Sequence, residues 1–216
     1  MNPLFIKASS RAALILLCFS VVGTALLSLT FDQTKPIIAK SEEQEKLALI
    51  GQTLPNTLYD NDIIADTITL PAGGKLNNPT EALAYRARAG GTPVALVLEA
   101  TAPDGYSGRI RLLIAIRVNG ELAGVRVIAH NETPGLGDYI DIAKNKWIRI
   151  FEGKSLSHPG TPGWKVKKDG GQFDYMAGAT ITPRAIVKAV KSALEFFGEQ
   201  RESLFRHAST NDEALK

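Results

Sequence analysis

From Ala12 through Phe31 the chain carries no charged side chain and is dominated by Leu, Val, Ala and Phe. At ~1.5 Å per residue, a helix of that length spans roughly 30 Å, the hydrocarbon thickness of a bilayer. Two readings fit such a run: a membrane anchor or a cleaved signal peptide. Gly23-Thr24-Ala25 offers only a poor small-x-small cleavage site, and the apolar run continues past it to Phe31, which favours an uncleaved anchor. Leu17, not a small residue, precedes Cys18, which argues against a lipid-modified cysteine. Lys7 and Arg11 lie before the run, with Asp32 and Lys35 after it. This bias predicts a cytoplasmic N-terminus (residues 1–11), a transmembrane helix (12–31) and a main domain outside, which in a bacterium means the inner membrane and the periplasm.

The 216 residues leave room for one ordinary domain beside the anchor. With 44% hydrophobic and 22% charged residues, that domain is globular. A net charge of +3, with no compact basic run interleaved with aromatics, argues against nucleic acid as a partner. Cys18 is the sole cysteine, which excludes an internal disulfide and a cysteine-built metal site. His130, His158 and His207 lack helical or hairpin ligand spacing, so no metal is expected.

Residues 32–79 read as a linker containing a helix and a strand. Ser41 to Ile50 predicts a short helix, with Ser41 as N-cap and Gln44 three residues on. Ile63 to Leu70 predicts a strand ended by Pro71-Ala72-Gly73-Gly74. Thr80 to Arg88 fits helix by its Ala and Leu content, but the alternation of Leu83, Tyr85 and Ala87 favours a strand. Gly90-Gly91 and the apolar run Val94 to Leu98 then follow as in a hairpin. Ile110 to Val118 and Leu122 to Ile128 are strands joined by Asn119-Gly120, a strong hairpin signal. An antiparallel sheet covered by later helices makes an α+β domain over residues 80–208, with a flexible polar tail at 209–216.

Three loops stand out. Thr101 to Gly108 is rich in Gly and Pro. His130 to Asp138 contains Glu132, Thr133, Gly135 and Leu136 in a tight turn after a strand, without a Walker or dinucleotide-binding pattern. The third, Asp174-Tyr175-Met176-Ala177-Gly178-Ala179-Thr180-Ile181-Thr182-Pro183, runs into a helix whose apolar face is Ile186, Val187, Val190, Leu194 and Phe197. Thr182 reads as the N-cap and Pro183 as the first helical residue. Small side chains at 177–179 let a large group approach the backbone, and Thr180 stands near the positive end of the helix dipole, a place suited to a phosphate. A tight turn before a capped helix fits the same residues. Trp164 to Gly171 reads as a solvated strand face whose lysines are available to a phosphate. No Gly-x-Ser-x-Gly elbow supports serine catalysis.

The segments Ala100–Gly108, Glu132–Asp138 and Trp164–Val190, in this order, strongly resemble the G subunit of the Rnf (Rsx) ion-translocating electron-transport complex. They also resemble, more broadly, the FMN-binding domain shared with the C subunit of the sodium-translocating NADH:quinone reductase. The short chain and the Gly-Ala-Thr-Ile-Thr-Pro-Arg-Ala run favour the Rnf member. The resemblance implies FMN joined covalently, through its phosphate, to Thr180, within a motif that begins at Asp174 and includes Gly178, Ala179 and Thr182. It also implies that the Glu132–Gly137 loop lines the flavin ring. Ala177 stands where the family normally has a hydroxyl residue, and Asn131 where histidine is common. A threonine hydroxyl is a weak nucleophile, so a magnesium-dependent flavin transferase is implied as the maturation partner. The other implied partners are membrane lipid and the remaining subunits of a complex coupling NADH/ferredoxin-type electron transfer to ion movement. The chain is then an electron-transfer subunit, not catalytic on its own. A quinone-reductase C subunit and a non-redox periplasmic scaffold are the alternatives.

Overall fold

The computed structural model describes residues 3–206, so the tail expected at 209–216 lies outside the described residues. The chain divides into two compact units, Met1–Leu47 and Ala48–Lys216.

The first unit belongs to helix α1 (Pro3–Thr53). Within it, Ala13–Ile38 is long and apolar enough to cross a membrane, with a mean hydropathy of 2.3 and none of it buried. The expected break between an anchor ending at Phe31 and a separate helix from Ser41 does not occur; the helix is continuous across Pro36. A proline inside a helix removes one hydrogen bond, to the carbonyl four residues back. Good helix formers on both sides carry the helix through. The hydroxyls of Thr30 and Thr34 bond back to the carbonyls of Leu26 and Thr30, at 2.8 Å each. Ser41 has no end to cap.

The second unit is a five-stranded antiparallel meander in sequential order. Its strands are β1 (Thr67–Leu70), β2 (Ala82–Ala89), β3 (Thr92–Gly105), β4 (Gly108–Arg117) and β5 (Leu122–Ala129). The segment expected over 80–88 is a strand, running from Ala82 to Ala89, and Asn119-Gly120 turns the β4–β5 hairpin with Gly120 at φ 87°. The strand expected from Ile63 begins only at Thr67. Through β1 it joins the sheet, so residues 48–79 belong to this unit and are no linker. The Thr101–Gly108 loop is also corrected. Thr101 and Ala102 pair with Arg111 and Ile110, and the Gly/Pro content is absorbed by an irregularity between Ala102 and Gly105. Only Tyr106 and Ser107 remain as the turn.

Register sorts the two faces of the sheet. Leu96, Leu98, Ile110, Leu112, Ile114, Ile116 and Val125 join the core built with helix α2 (Ile181–Phe205), whose contribution is Ile186, Val187, Val190, Leu194 and Phe197. On the opposite face Leu113 sits across from Arg126, and Ala115 across from Gly124. The end of α1 docks here: Arg126 donates to the Gln52 carbonyl at 3.0 Å. A Cβ on Gly124 would lie 2.7 Å from the Thr53 carbonyl oxygen, so only glycine admits this approach. Because both faces are covered here, β3 and β4 read as continuous apolar runs rather than alternating ones.

Between β5 and α2 the chain winds through short 3-10 turns, including Asp138–Ile140, Lys146–Phe151, Thr161–Gly163 and Lys167–Asp169. The lysine-bearing stretch after Trp164 is therefore wound, not extended, with Lys165, Lys167 and Lys168 exposed. Gly170, at φ 80°, closes the last of these turns in a left-handed conformation that breaks an extended strand.

Candidate functional site: a cleft at the start of helix α2

Helix α2 begins two residues before its expected start. The Arg184 amide donates to the Thr180 carbonyl at 3.3 Å, which makes Thr180 the N-cap position, Thr182 the second helical residue and Pro183 the third. Pro183 still sits in the first turn, where no amide needs an intrahelical partner. Thr182 is corrected from cap to strut: its side chain is 1% exposed, and its hydroxyl donates to the Glu132 carboxylate. Thr180 makes no side-chain capping bond, and its hydroxyl has no hydrogen-bond partner among the described residues.

Glu132 joins three segments. One carboxylate oxygen accepts from the Ser107 amide at 3.0 Å, in the β3–β4 turn, and the other accepts from Thr182 on α2. The Glu132 amide donates to His130 Nδ1 at 3.1 Å. Gly137 makes room for this carboxylate, since a Cβ there would stand 3.0 Å from its second oxygen. The turn from 133 to 138 is held by Asp138, which accepts from the Gly135 amide at 2.9 Å and pairs with Lys144. The Lys144 hydrogen bond, then the Gly135 amide, hold the Asp138 carboxyl below its ordinary range.

An aromatic floor supports the segment leading to Thr180. Tyr139 meets Trp147 edge-on, Trp147 meets Phe151, and Phe151 and Trp164 pack on Phe173. From this floor the Trp147 indole donates to the Asp174 carbonyl at 2.8 Å, and the Tyr139 hydroxyl accepts from the Met176 amide at 3.4 Å. Burial pushes the Tyr139 phenol up to about 12. Gly178, at φ 89°, then turns the backbone in a conformation that L side chains rarely adopt.

The result is a cavity of about 120 Å³ lined by the expected Glu132, Thr133, Leu136, Gly178, Ala179, Thr180 and Thr182. Residues from two loops and one helix, up to 50 positions apart, are thus brought together. Gly135 and Asp174 do not line it. Gly135 shapes its loop at φ 75°, and the Asp174 carboxylate pairs with Lys167 at 2.5 Å on the surface. Ala177 is exposed and also outside the lining. Gly137, at the end of the expected Glu132–Gly137 loop, also lines it, and sequence reasoning missed Tyr106 and Ile181. An aromatic at the tip of a Gly-flanked turn was the available signal for Tyr106.

Chemically the cleft is two-part. Its rim is apolar and open, with Tyr106 67%, Leu136 42% and Ile181 45% exposed. Its base is the first turn of a 25-residue helix, whose leading amides lack intrahelical partners. No lysine or arginine lines it among the described residues. Arg184 forks onto Asp169 at 2.6 and 2.7 Å, and Lys188 pairs with Asp104 at 2.7 Å. Fit to FMN follows from these features: an unpartnered hydroxyl and helix amides for the phosphate end, and exposed apolar side chains for a flat ring.

The FMN-binding domain family matches residues 105–195, which contain every residue lining this cleft, and the RnfG N-terminal region matches residues 1–53. The chain is similar to the G subunit of the ion-translocating oxidoreductase complex of Pseudomonas aeruginosa, with 46% identity covering 92% of both chains. It resembles the G subunit of the same complex in Vibrio cholerae at 42% identity, covering 92% of this chain and 95% of the relative. The Shewanella baltica counterpart is 43% identical, covering 88% of this chain and 90% of the relative. With likeness of this degree along almost its whole length, the chain belongs to the family of G subunits of ion-translocating oxidoreductase complexes.

Proposed function

We propose that this chain is a single-pass membrane flavoprotein subunit whose FMN is held covalently, through its phosphate, by the Thr180 hydroxyl, and which passes electrons within an ion-translocating oxidoreductase complex. The observation that carries the attachment site is the contrast between the two threonines at the start of α2. The Thr182 hydroxyl is buried and engaged by Glu132, whereas that of Thr180 has no partner among the described residues and lines the cleft.

Within this reading the helix amides after Thr180 stabilise the phosphodiester anion, and the rim of Tyr106, Leu136 and Ile181 receives one face of the ring. Glu132 orients both by tying the β3–β4 turn to α2. Bound there, FMN supplies the electron-carrying chemistry, while the protein sets its orientation and surroundings. A cavity of about 120 Å³ is smaller than the ~300 Å³ at which whole-ligand pockets begin, so it takes one end of the molecule and leaves the ring edge open to a partner. A flavin transferase acts on Thr180 during maturation, membrane lipid surrounds the 13–38 span, and the second unit lies on the periplasmic side of the bacterial inner membrane.

In-gel flavin fluorescence after denaturing electrophoresis tests the covalent bond, using full-length chain from cells that contain the transferase. A fluorescent band that Thr180→Ala abolishes, with FMN mass on the peptide containing Thr180, is the expected result. A dark wild-type band overturns covalent attachment.

A further inference from the structure

The sheet face opposite α2 is covered unevenly. The end of α1 lies over Gly124 and Arg126, and Leu113, across from Arg126, is fully buried. Glu99 lies opposite Leu113 and Thr101 opposite Arg111, so this face continues past the covered region towards the β3–β4 turn. There it opens into a cavity of about 270 Å³ whose polar lining is Thr101, Arg109, Arg111, His130 and Asn131.

The chemistry of this second cavity is specific. Arg109 makes no hydrogen bond or ion pair among the described residues, and its side chain is exposed. Arg111 gives one nitrogen to Glu99 at 3.0 Å and stays 48% exposed, so most of its donor fork is open. His130 accepts the Glu132 amide at Nδ1, so the neutral ring carries its proton on Nε2, which serves as a further donor. The cavity therefore presents two guanidiniums against one carboxylate. That balance suits a single carboxylate better than a doubly charged phosphate.

Its position is as informative as its charge. His130 and Asn131 immediately precede Glu132, which lines the flavin cleft, and Arg109 follows Tyr106 across the same turn. The cationic cavity thus lies at the same end of the sheet as the cleft, the two linings being joined through residues 130–132 and the β3–β4 turn. Charge-complementary surfaces steer association and fix orientation, and redox encounters bury little area, so one well-placed ion pair matters there.

We infer that the Arg109–Arg111–His130–Asn131 cavity is the docking anchor for an aspartate or glutamate side chain of the protein that exchanges electrons with this subunit. The inference rests on the flavoprotein reading of the adjacent cleft. Arg109 is the residue to change, because its guanidinium holds nothing among the described residues, so reversal strands no partner there.

The test uses the whole membrane complex carrying Arg109→Glu, Arg109→Ala or Arg109→Lys. Covalent flavin, read by in-gel fluorescence, checks the underlying reading separately. If wild type shows no flavin band, the flavoprotein reading fails first. With flavin loaded equally, Arg109→Glu is expected to slow flavin reduction or reoxidation at least tenfold in stopped flow at low salt, or to release the subunit from the purified complex. Arg109→Ala gives a smaller effect with a flattened salt dependence, and Arg109→Lys stays within about threefold of wild type. Equal rates, equal salt dependence and normal copurification in all three variants overturn the proposal. So does a defect that appears in anionic vesicles but not in detergent, which assigns the cavity to a lipid headgroup instead. A photo-crosslinker at position 109 should label an acidic segment of another subunit, and labelling confined to lipid argues against the proposal in the same way.

Discussion

The Thr182 hydroxyl donates to the Glu132 carboxylate across 50 residues of chain, joining the first turn of α2 to the loop after β5. Both side chains are buried, at 1% and 4% exposure. This pair makes the two threonines of the motif inequivalent: Thr182 is committed to the fold, whereas the Thr180 hydroxyl has no hydrogen-bond partner among the described residues.

Thr180→Ala is therefore expected to abolish covalent flavin while leaving the unfolding midpoint within about 2 °C of wild type, since exposed or half-exposed changes outside special features shift stability by roughly 0.5 kcal/mol or less. Thr180→Ser keeps a hydroxyl and should retain the fluorescent band. Covalent flavin surviving in Thr180→Ala would overturn the site.

Thr182→Val behaves in the opposite way. It leaves a buried carboxylate oxygen without its donor, which costs about 1–3 kcal/mol and lowers the melting temperature by roughly 2–10 °C. Glu132→Gln should be destabilising too, and the double variant less so than the two losses added together, because they share one interaction. Strict additivity in thermal denaturation would mean the pair is not coupled.

Gly178→Ala tests the backbone before the acceptor. At φ 89° an L side chain is strained by roughly 1–2 kcal/mol, although the added Cβ meets only Leu136 Cδ1, at 3.6 Å. Flavin loading should fall while circular dichroism remains native, and Gly178→Asn should be milder, because asparagine tolerates the left-handed region better. Equal loading in both would show that this turn does not position Thr180.

The adjacent residues Asp138 and Tyr139 respond to opposite ends of the pH scale. Asp138 is held below its ordinary range by Lys144 and the Gly135 amide, so its contribution is present above the unfolded carboxyl value and is lost as pH falls through the lower, folded one. Asp138→Asn should therefore be less stable than wild type near neutrality, with the difference vanishing in acid. Burial raises Tyr139 to about 12, so its contribution is complete below pH ~10 and is lost as pH rises towards 12. Tyr139→Phe should remove that alkaline step in urea titrations run between pH 9 and 12.

Much of this protein was legible in one dimension, because the signals concerned are local. The uncharged run from Ala12 to Phe31 is a matter of composition alone, and it falls in a helix whose stretch Ala13–Ile38 is long and apolar enough to cross a membrane. Asn119-Gly120 specifies its hairpin through backbone conformations that few residues adopt. The small side chains at 177–179, a property of those residues alone, are what point to Thr180 as the proposed attachment site. Tertiary structure decided what depends on partners distant in sequence. Thr182 looked like a cap because local rules see only the nearest amides, whereas its hydroxyl found a buried carboxylate 50 residues earlier. Residues Thr101 and Ala102 looked like loop by composition, yet pairing with Arg111 and Ile110 made them strand. Asp174, close to Thr180 in sequence, was turned outward to Lys167, while the remote Tyr106 was brought to the rim. Hydrogen bonds and apolar contacts reward proximity in space, so side-chain roles at the cleft were settled only once sheet register placed the β3–β4 turn beside α2.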